Sequence, residues 1–267
     1  EVLPDDVLEG TYGCYDDYTV ELDKSVPLGN GPWLPPTLTV DDIGKTYQVR
    51  VTHQGSGNNC WGSVVIQDNV APTLVCKDLN LACPVTNYTP AYLNGVLGIT
   101  DAFPVITDCS NFMSSFVDTW VDLPCGAGFN GVPDLSGYVR RKWTAIDQWG
   151  NSSTCTQYLY LKRLHVGDVK LPADYNVSCG ANVSTDPTVT GAPYFEVLGK
   201  KWPIDPTSGV CELQTTYADQ LLPGCNGTYH ILRTWTIYDF CLPVSITPPN
   251  LNPLYHLQVI AVMDQTG

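Results

Sequence analysis

Cysteine offers the most chemistry in this chain. Eleven are spread singly along 267 residues, without the short Cys-x-x-Cys and histidine spacings that a tetrahedral zinc site needs. Their chemistry is therefore oxidative pairing, and the compartment is an oxidising one. The other reactive side chains are not arranged for catalysis. His53, His165, His230 and His256 include no His-Glu-x-x-His pair, and no Gly-x-Ser-x-Gly elbow presents a serine nucleophile. His53 reads as the end of a strand and His165 as part of a linker, both facing solvent. The carboxylate pairs Asp5-Asp6, Asp16-Asp17 and Asp41-Asp42 are sequence neighbours, whereas glycosidase carboxylates face each other across a cleft. Gly126-Ala-Gly-Phe-Asn-Gly131 matches a dinucleotide fingerprint only in letters, because Pro124-Cys125 precedes it and Val132-Pro133 follows, so no helix opens there. The expectation is a protein that is not an enzyme and has no catalytic residues.

Two weaker constellations remain. Asp101, Asp108 and Asp118 cluster around a predicted loop carrying Cys109 and provide hard oxygen donors for Ca²⁺, though without EF-hand spacing. Ca²⁺ is the one cofactor the sequence leaves open. Among 7 tryptophans, Trp143 and Trp235 read as core, while Trp33, Trp149 and Trp202 fall in loop-like settings. There they would cover loops, or else stack on a neighbouring subunit or a surface glycan. Asn87, Asn151, Asn176, Asn182 and Asn226 begin Asn-x-Ser/Thr triplets, which read as exposed positions.

The elements that hold these residues are short strands. With 21 Pro and 23 Gly, few helical patterns run uninterrupted, and an apolar fraction of 43% is enough to fill real cores. Only Glu212–Leu222 reads as a possible short helix. Net charge is −14, which repels phosphate backbones and disfavours nucleic acid. No apolar run approaches the ~20 residues of a transmembrane helix, and the most apolar stretch, Leu257 to Met263, is strand-sized. The chain opens at Glu1 without a signal peptide and reads as a processed product or a piece of something longer.

One pattern occurs three times. Tyr47–His53 with Cys60–Asp68, Val139–Asp147 with Cys155–Arg163, and His230–Asp239 with Tyr255–Asp264 each read as a strand, a polar loop and a closing strand. Trp143 and Trp235 both stand four residues before an aspartate. A hairpin recurring at this interval is what tandem sandwiches produce. The expected organisation is all-β: tandem immunoglobulin-like antiparallel β-sandwiches over 1–70, 71–164 and 165–267, stapled by disulfides. Asn94-Gly95, Asn130-Gly131 and Asn226-Gly227 mark turns between strands. The linkers Asn69–Pro72 and Leu164–Gly167 are short, so neighbouring domains are closely coupled.

Aligning the second and third segments on their tryptophan strands matches Cys83 with Cys179, Cys109 with Cys211, and Cys125 with Cys225. Staples internal to each domain follow: Cys14–Cys60 in the first, Cys109–Cys125 and Cys76–Cys155 in the second, Cys211–Cys225 and Cys179–Cys241 in the third. Cys83 is left over, either as a buried thiol or as partner to a cysteine of a neighbouring chain or repeat.

Several phrases carry a family resemblance. Leu8–Asp17 followed by Asn59–Asp68 resembles repeats of very large Bacteroidota cell-surface proteins, which are typically exported by type IX secretion. The second segment resembles a hyalin-repeat (HYR) immunoglobulin-like module in Pro72–Cys76, Thr107-Asp-Cys-Ser110 and Trp143–Cys155. The third keeps Arg233–Asp239 but lacks the Gly-Asn and the late cysteine. The resemblance implies an extracellular or cell-surface location and a structural repeat segment that acts by subunit contacts and mechanical span. The alternative it implies is an adhesin module that binds carbohydrate or protein, with Ca²⁺ at the contact. The first segment is short for the pattern, which points to self-association or contact with neighbouring repeats of the same protein.

Overall fold

The structure is a computed structural model describing residues 1–9, 14–178, 184–204, 206–207, 209–225, 228–248 and 251–263. The fold is all-β. In the first segment β1 (Tyr18–Asp23), β2 (Trp33–Leu34), β3 (Thr46–His53) and β4 (Asn59–Val65) form a sheet in the order β2-β1-β3-β4. The second segment contains β5 (Thr73–Val75), β6 (Leu79–Ala82), β7 (Val105–Thr107), β8 (Phe112–Asp122), β9 (Leu135–Asp147) and β10 (Ser152–Lys162). Its main sheet runs β6-β10-β9-β8, and β5 pairs with β7. The third contains β11 (Tyr175–Ser178), β12 (Tyr194–Val197), β13 (Lys200–Pro203), β14 (Leu213–Pro223), β15 (Tyr229–Asp239) and β16 (Leu254–Met263). Its main sheet runs β11-β16-β15-β14, and β12 pairs with β13. β6 pairs parallel with β10 and β11 with β16, each an early strand beside the last strand of its segment, whereas β1–β3, β3–β4, β14–β15 and β15–β16 pair antiparallel.

Each four-stranded sheet draws its strands from one of the segments 1–70, 71–164 and 165–267. Compactness divides the chain into two units. One comprises Glu1–Val75, Val105–Ser115 and Thr144–Cys155, the other Cys76–Pro104, Phe116–Trp143 and Thr156–Gly267.

In the first unit, alternation along β3 buries Tyr47, Val49 and Val51, and the last two join Val2, Val20 and Leu22 in a core. Two buried carboxylates organise the loops around it. Asp23 accepts the backbone N–H groups of Ser25, Gly29 and Gly31, and Asp42 accepts the Tyr47 hydroxyl at 2.6 Å. Burial, followed by that hydrogen bond, pushes the Tyr47 pKa up to about 12. The hydroxyl and amide donors hold both aspartates well below the usual carboxylate range.

Among its described residues the second unit has two cores. One gathers Leu79, Leu81, Val139, Leu159 and Leu161 with Leu93 of a short helix, Pro90–Gly95. The other gathers Val166, Phe195, Leu213, Trp235 and Ile237. A polar girder occurs in both. Trp143 Nε1–H donates to Gln157 at 3.1 Å, and Trp235 Nε1–H donates to Gln258 at the same distance. Gln157 then donates to the carbonyls of Lys77 and Asp101, and Gln258 to those of Ala173 and Thr190. Two residues before each tryptophan stands a buried arginine. Arg141 binds both oxygens of Asp118 and Arg233 binds both of Asp219, all at 2.7 Å. The guanidiniums lie over Phe116 at 4.5 Å and Tyr217 at 4.4 Å, where cation–π attraction adds to the ion pair.

Two local expectations are revised. Glu212–Leu222 is not helical: from Leu213 on it is β14, paired with β15 at eleven consecutive positions. Thr215, Thr216 and Tyr217 favour the pleat over the helix. Asn94-Gly95 closes the short helix instead of joining two strands. Asn130-Gly131 does make a tight turn, with φ of 50° and 79° bridging Phe129 to Val132. Asn226-Gly227 lies outside the described residues.

Candidate functional site: a clamp between the second and third sheets

Where β10 ends, the chain runs directly into the third segment, and residues from both sides converge around Arg163 and His165. Arg163 is 1% exposed. Its Nη2 donates to the carbonyls of Leu123 and Leu135 at 3.0 Å, and its Nη1 to Glu212. Asp134 lies 3.7 Å from Nε. The guanidinium thus ties the β8–β9 connection of the second sheet to the residue preceding β14 of the third.

His165 completes the tie. Its Nε2 meets Asp134 Oδ2 and its Nδ1 meets Asp239 Oδ2, both at 2.8 Å. Carboxylates only accept, so both ring nitrogens carry protons when both bonds form. Burial alone lowers the imidazole pKa, but the hydrogen bonds to Asp134 and Asp239 and their charges outweigh it, leaving the pKa raised. The linker histidine is therefore a bridge, not the solvent-facing residue its sequence setting implied.

Two disulfides close the same junction. Cys83, the residue after β6, bonds Cys211, two residues before β14, with Cα atoms 5.5 Å apart. Cys125, in the β8–β9 connection, bonds Cys241, in the β15–β16 connection, with Cα atoms 5.2 Å apart. Asp134, Cys211 and Glu212 all have φ between 53° and 58°, a strained left-handed conformation for non-glycine residues. It costs about 1–2 kcal/mol each, and the clamp holds it in place.

This arrangement overturns most of the pairing expected from sequence. Cys83 is bonded, not left over. Cys125 pairs with Cys241 instead of Cys109, and Cys211 with Cys83 instead of Cys225. Cys109 and Cys225 are free, as are Cys14 and Cys60. The reason is strand geometry. β14 occupies the interval between Cys211 and Cys225, and eleven extended residues span roughly 35 Å, far beyond disulfide reach. β8 fills the interval between Cys109 and Cys125 in the same way. Cys60 lies on β4, while Cys14 precedes β1, and β3 runs between those two strands. Cys76 and Cys155 are each disulfide-bonded. Cys179, expected to pair with Cys241, lies outside the described residues.

The carboxylates singled out for Ca²⁺ are engaged elsewhere. Asp118 is held by Arg141, and Asp101 pairs with Lys77 at 3.1 Å. Asp108 accepts the N–H and hydroxyl of Ser110 and groups with Asp68 and Cys109, ligand atoms within 4.8 Å. Burial, then the Asp68 carboxylate, raises the Cys109 pKa, so this thiol stays protonated and donates to Asp68. Of the loop-like tryptophans, Trp33 and Trp202 are partly buried and Trp149 is exposed. Trp33 lies on β2 beneath the Arg50 guanidinium at 4.3 Å. Trp149 packs on Gly44, where an added Cβ would lie 2.6 Å from the ring. Trp202, on β13, packs against both cores of the second unit.

Sequence reasoning missed Arg163, Asp134, Glu212 and Asp239 as a group. The one available signal was a conflict between position and type: a charged run in a linker too short to be free.

No family model and no curated protein matches the chain. Among solved structures, it is similar to the protocadherin gammaB7 EC3-6 cis-dimer at 14% identity, covering 93% of this chain and 66% of that one, with a TM-score of 0.25. Extracellular cadherin domains 1-5 of protocadherin gamma B2 give 13%, 92% and 52% with 0.23. The extracellular domain of protocadherin gammaB4 gives 11%, 95% and 44% with 0.26. The chain thus spans 44% to 66% of these structures, and the architecture described above stands on its own strands.

Proposed function

We propose that this chain is a structural repeat segment of an extracellular surface or filament-forming protein, and that it works by holding successive β modules in a fixed chain. The observation that carries this reading is the pair of disulfides across the junction between the second and third sheets. A protein whose task is a single binding surface needs staples within a module. Staples between modules instead resist their separation, and they form only under oxidising conditions. Arg163 and His165 add charge-assisted bonds at the same place. The hyalin-repeat resemblance and the spread of cysteines support the same location and role. The adhesive alternative draws less support from Trp33 and Trp202, which are packed against protein groups, than from Trp149, which is 44% exposed.

Pulling single molecules by their termini tests the proposal. The oxidised chain is expected to withhold the residues between Cys83 and Cys211 from its extension and to yield at higher force than a Cys83→Ser/Cys125→Ser chain. Equal yielding forces for the two chains would overturn the mechanical reading.

A further inference from the structure

The third sheet has an outer face, opposite its core. Trp235 points into the core, and its partners in the register, Tyr217 on β14 and His256 on β16, share that side. Alternation sends the residues between them the other way. On β11, which runs parallel to β16, Asn176 and Ser178 lie beside Ala261 and Met263 on this outer side. Among the described residues, no outward side chain of β11, β14, β15 or β16 is an aspartate, glutamate, lysine or arginine. The chain as a whole has a net charge of −14. Threonines, glutamines and His230 share the face with Leu222, Leu232, Tyr238, Tyr255, Leu257 and Met263. Tyr255 is 62% exposed and Leu257 53%.

A sheet with one face in water alternates apolar inward and polar outward, and the second sheet follows that rule. The Trp143–Gln157 and Trp235–Gln258 girders mark equivalent positions in the two sheets. Counted from them, the exposed Arg140, Lys142 and Lys162 stand where the third sheet has Leu232, Thr234 and Met263. Thr156 stands where it has Leu257. One repeat thus turns cations to solvent, and the other has uncharged and mostly apolar groups in their place. An extended apolar patch left in the open marks a contact surface.

We propose that the outer face of the third sheet packs against the same face of a second copy. Charge selects this partner. Two chains of net charge −14 repel wherever their carboxylates meet, and on this face no carboxylate opposes another. A two-fold axis sets the face on itself, so the contact is isologous and closes at a dimer. Sheets stacked this way lie about 10 Å apart, with strands within about 30° of each other. β14, β15 and β16 are 11, 11 and 10 residues long. With β11 they offer roughly 550 Å² per copy. The total of about 1,100 Å² is enough for a specific, reversible pair. The inference goes beyond the mechanical reading, since it names what the chain meets at its side.

Sedimentation equilibrium of the full chain tests this, with exposed thiols alkylated so that only non-covalent pairing counts. A monomer–dimer equilibrium is expected. Leu257→Asp sets a carboxylate on each of the facing sheets and Tyr255→Lys a cation. Each should weaken the dimer about tenfold or more without shifting the thermal midpoint. Thr156→Asp, at the matching place on the second sheet, should leave the mass unchanged. Hydroxyl-radical footprinting needs no variant: Tyr255 and Met263 should lose reactivity as the unaltered chain is concentrated. A chain that stays monomeric, a dimer that tolerates both substitutions, one that Thr156→Asp weakens equally, or unchanged footprints would overturn the proposal. Yielding force under tension is measured on one molecule, so the mechanical reading can fail or succeed separately.

Discussion

His165 makes the clamp sensitive to pH in a direction that can be worked out. Its pKa in the folded chain is raised above the ordinary value near 6.5. A raised pKa means that its contribution is complete below about pH 6.5 and is lost as the pH climbs through the folded value. Urea midpoints of the wild type should therefore fall more than those of His165→Gln between about pH 6 and about pH 9, and parallel curves would remove the imidazole from the clamp. Asp23 and Asp42 act in the opposite sense. Their depressed pKa values give stability that is present above about pH 4 and lost on acidification. Monitoring Trp33 and Trp61 separately from the other tryptophans should show the first sheet protected until the pH drops below that range. The buried arginines provide a third test at this scale. Asp118→Asn or Asp219→Asn leaves a fully desolvated guanidinium without its counter-charge, at a cost of about 3 kcal/mol in chemical denaturation. A loss no larger than that of an exposed aspartate would show that the carbonyls of Tyr88 and Thr185, to which Arg141 and Arg233 also donate, suffice.

At the level of elements, the two tryptophan–glutamine girders fix where a first strand and a loop meet the central hairpin. Gln258→Leu keeps the volume but leaves the Ala173 and Thr190 carbonyls without their donor, a loss of about 1–3 kcal/mol. Gln157→Leu should behave alike, since Lys77 and Asp101 take the same roles. Differential scanning calorimetry would read both, and unequal losses would mean that the repeat is one of position and not of energetics. The third segment also replaces a missing motif. Where the second uses Asn151 to bind Asp147, the third uses Asn252, whose Nδ2 donates to the carbonyls of Asp239 and Leu242. The Gly-Asn letters are absent, and the asparagine of the third segment anchors its turn through the Asp239 backbone where Asn151 uses the Asp147 carboxylate.

For the whole chain, the cross-links Cys83–Cys211 and Cys125–Cys241 close loops of 128 and 116 residues. Loops of that size restrict the unfolded chain by about 5 kcal/mol each in the chain-entropy account, and the two overlap, so their effects do not simply add. Reduction should lower the thermal midpoint of the second and third segments more than that of the first. A uniform drop would place the stabilisation elsewhere.

Strands were legible from sequence because their signals are local. Alternation in Tyr47–Val51, the paired tryptophans and Asn130-Gly131 need only neighbouring residues to act, and hairpins form between neighbours. The all-β class and the oxidising compartment follow from composition in the same way. Disulfide connectivity, the bridge at His165 and the polar girders were decided only by the tertiary structure, because each joins residues far apart in sequence. A cysteine bonds whatever thiol the strands deliver within a few ångströms. Because β6 and β8 end just before Cys83 and Cys125, the thiols within reach belong to the next sheet.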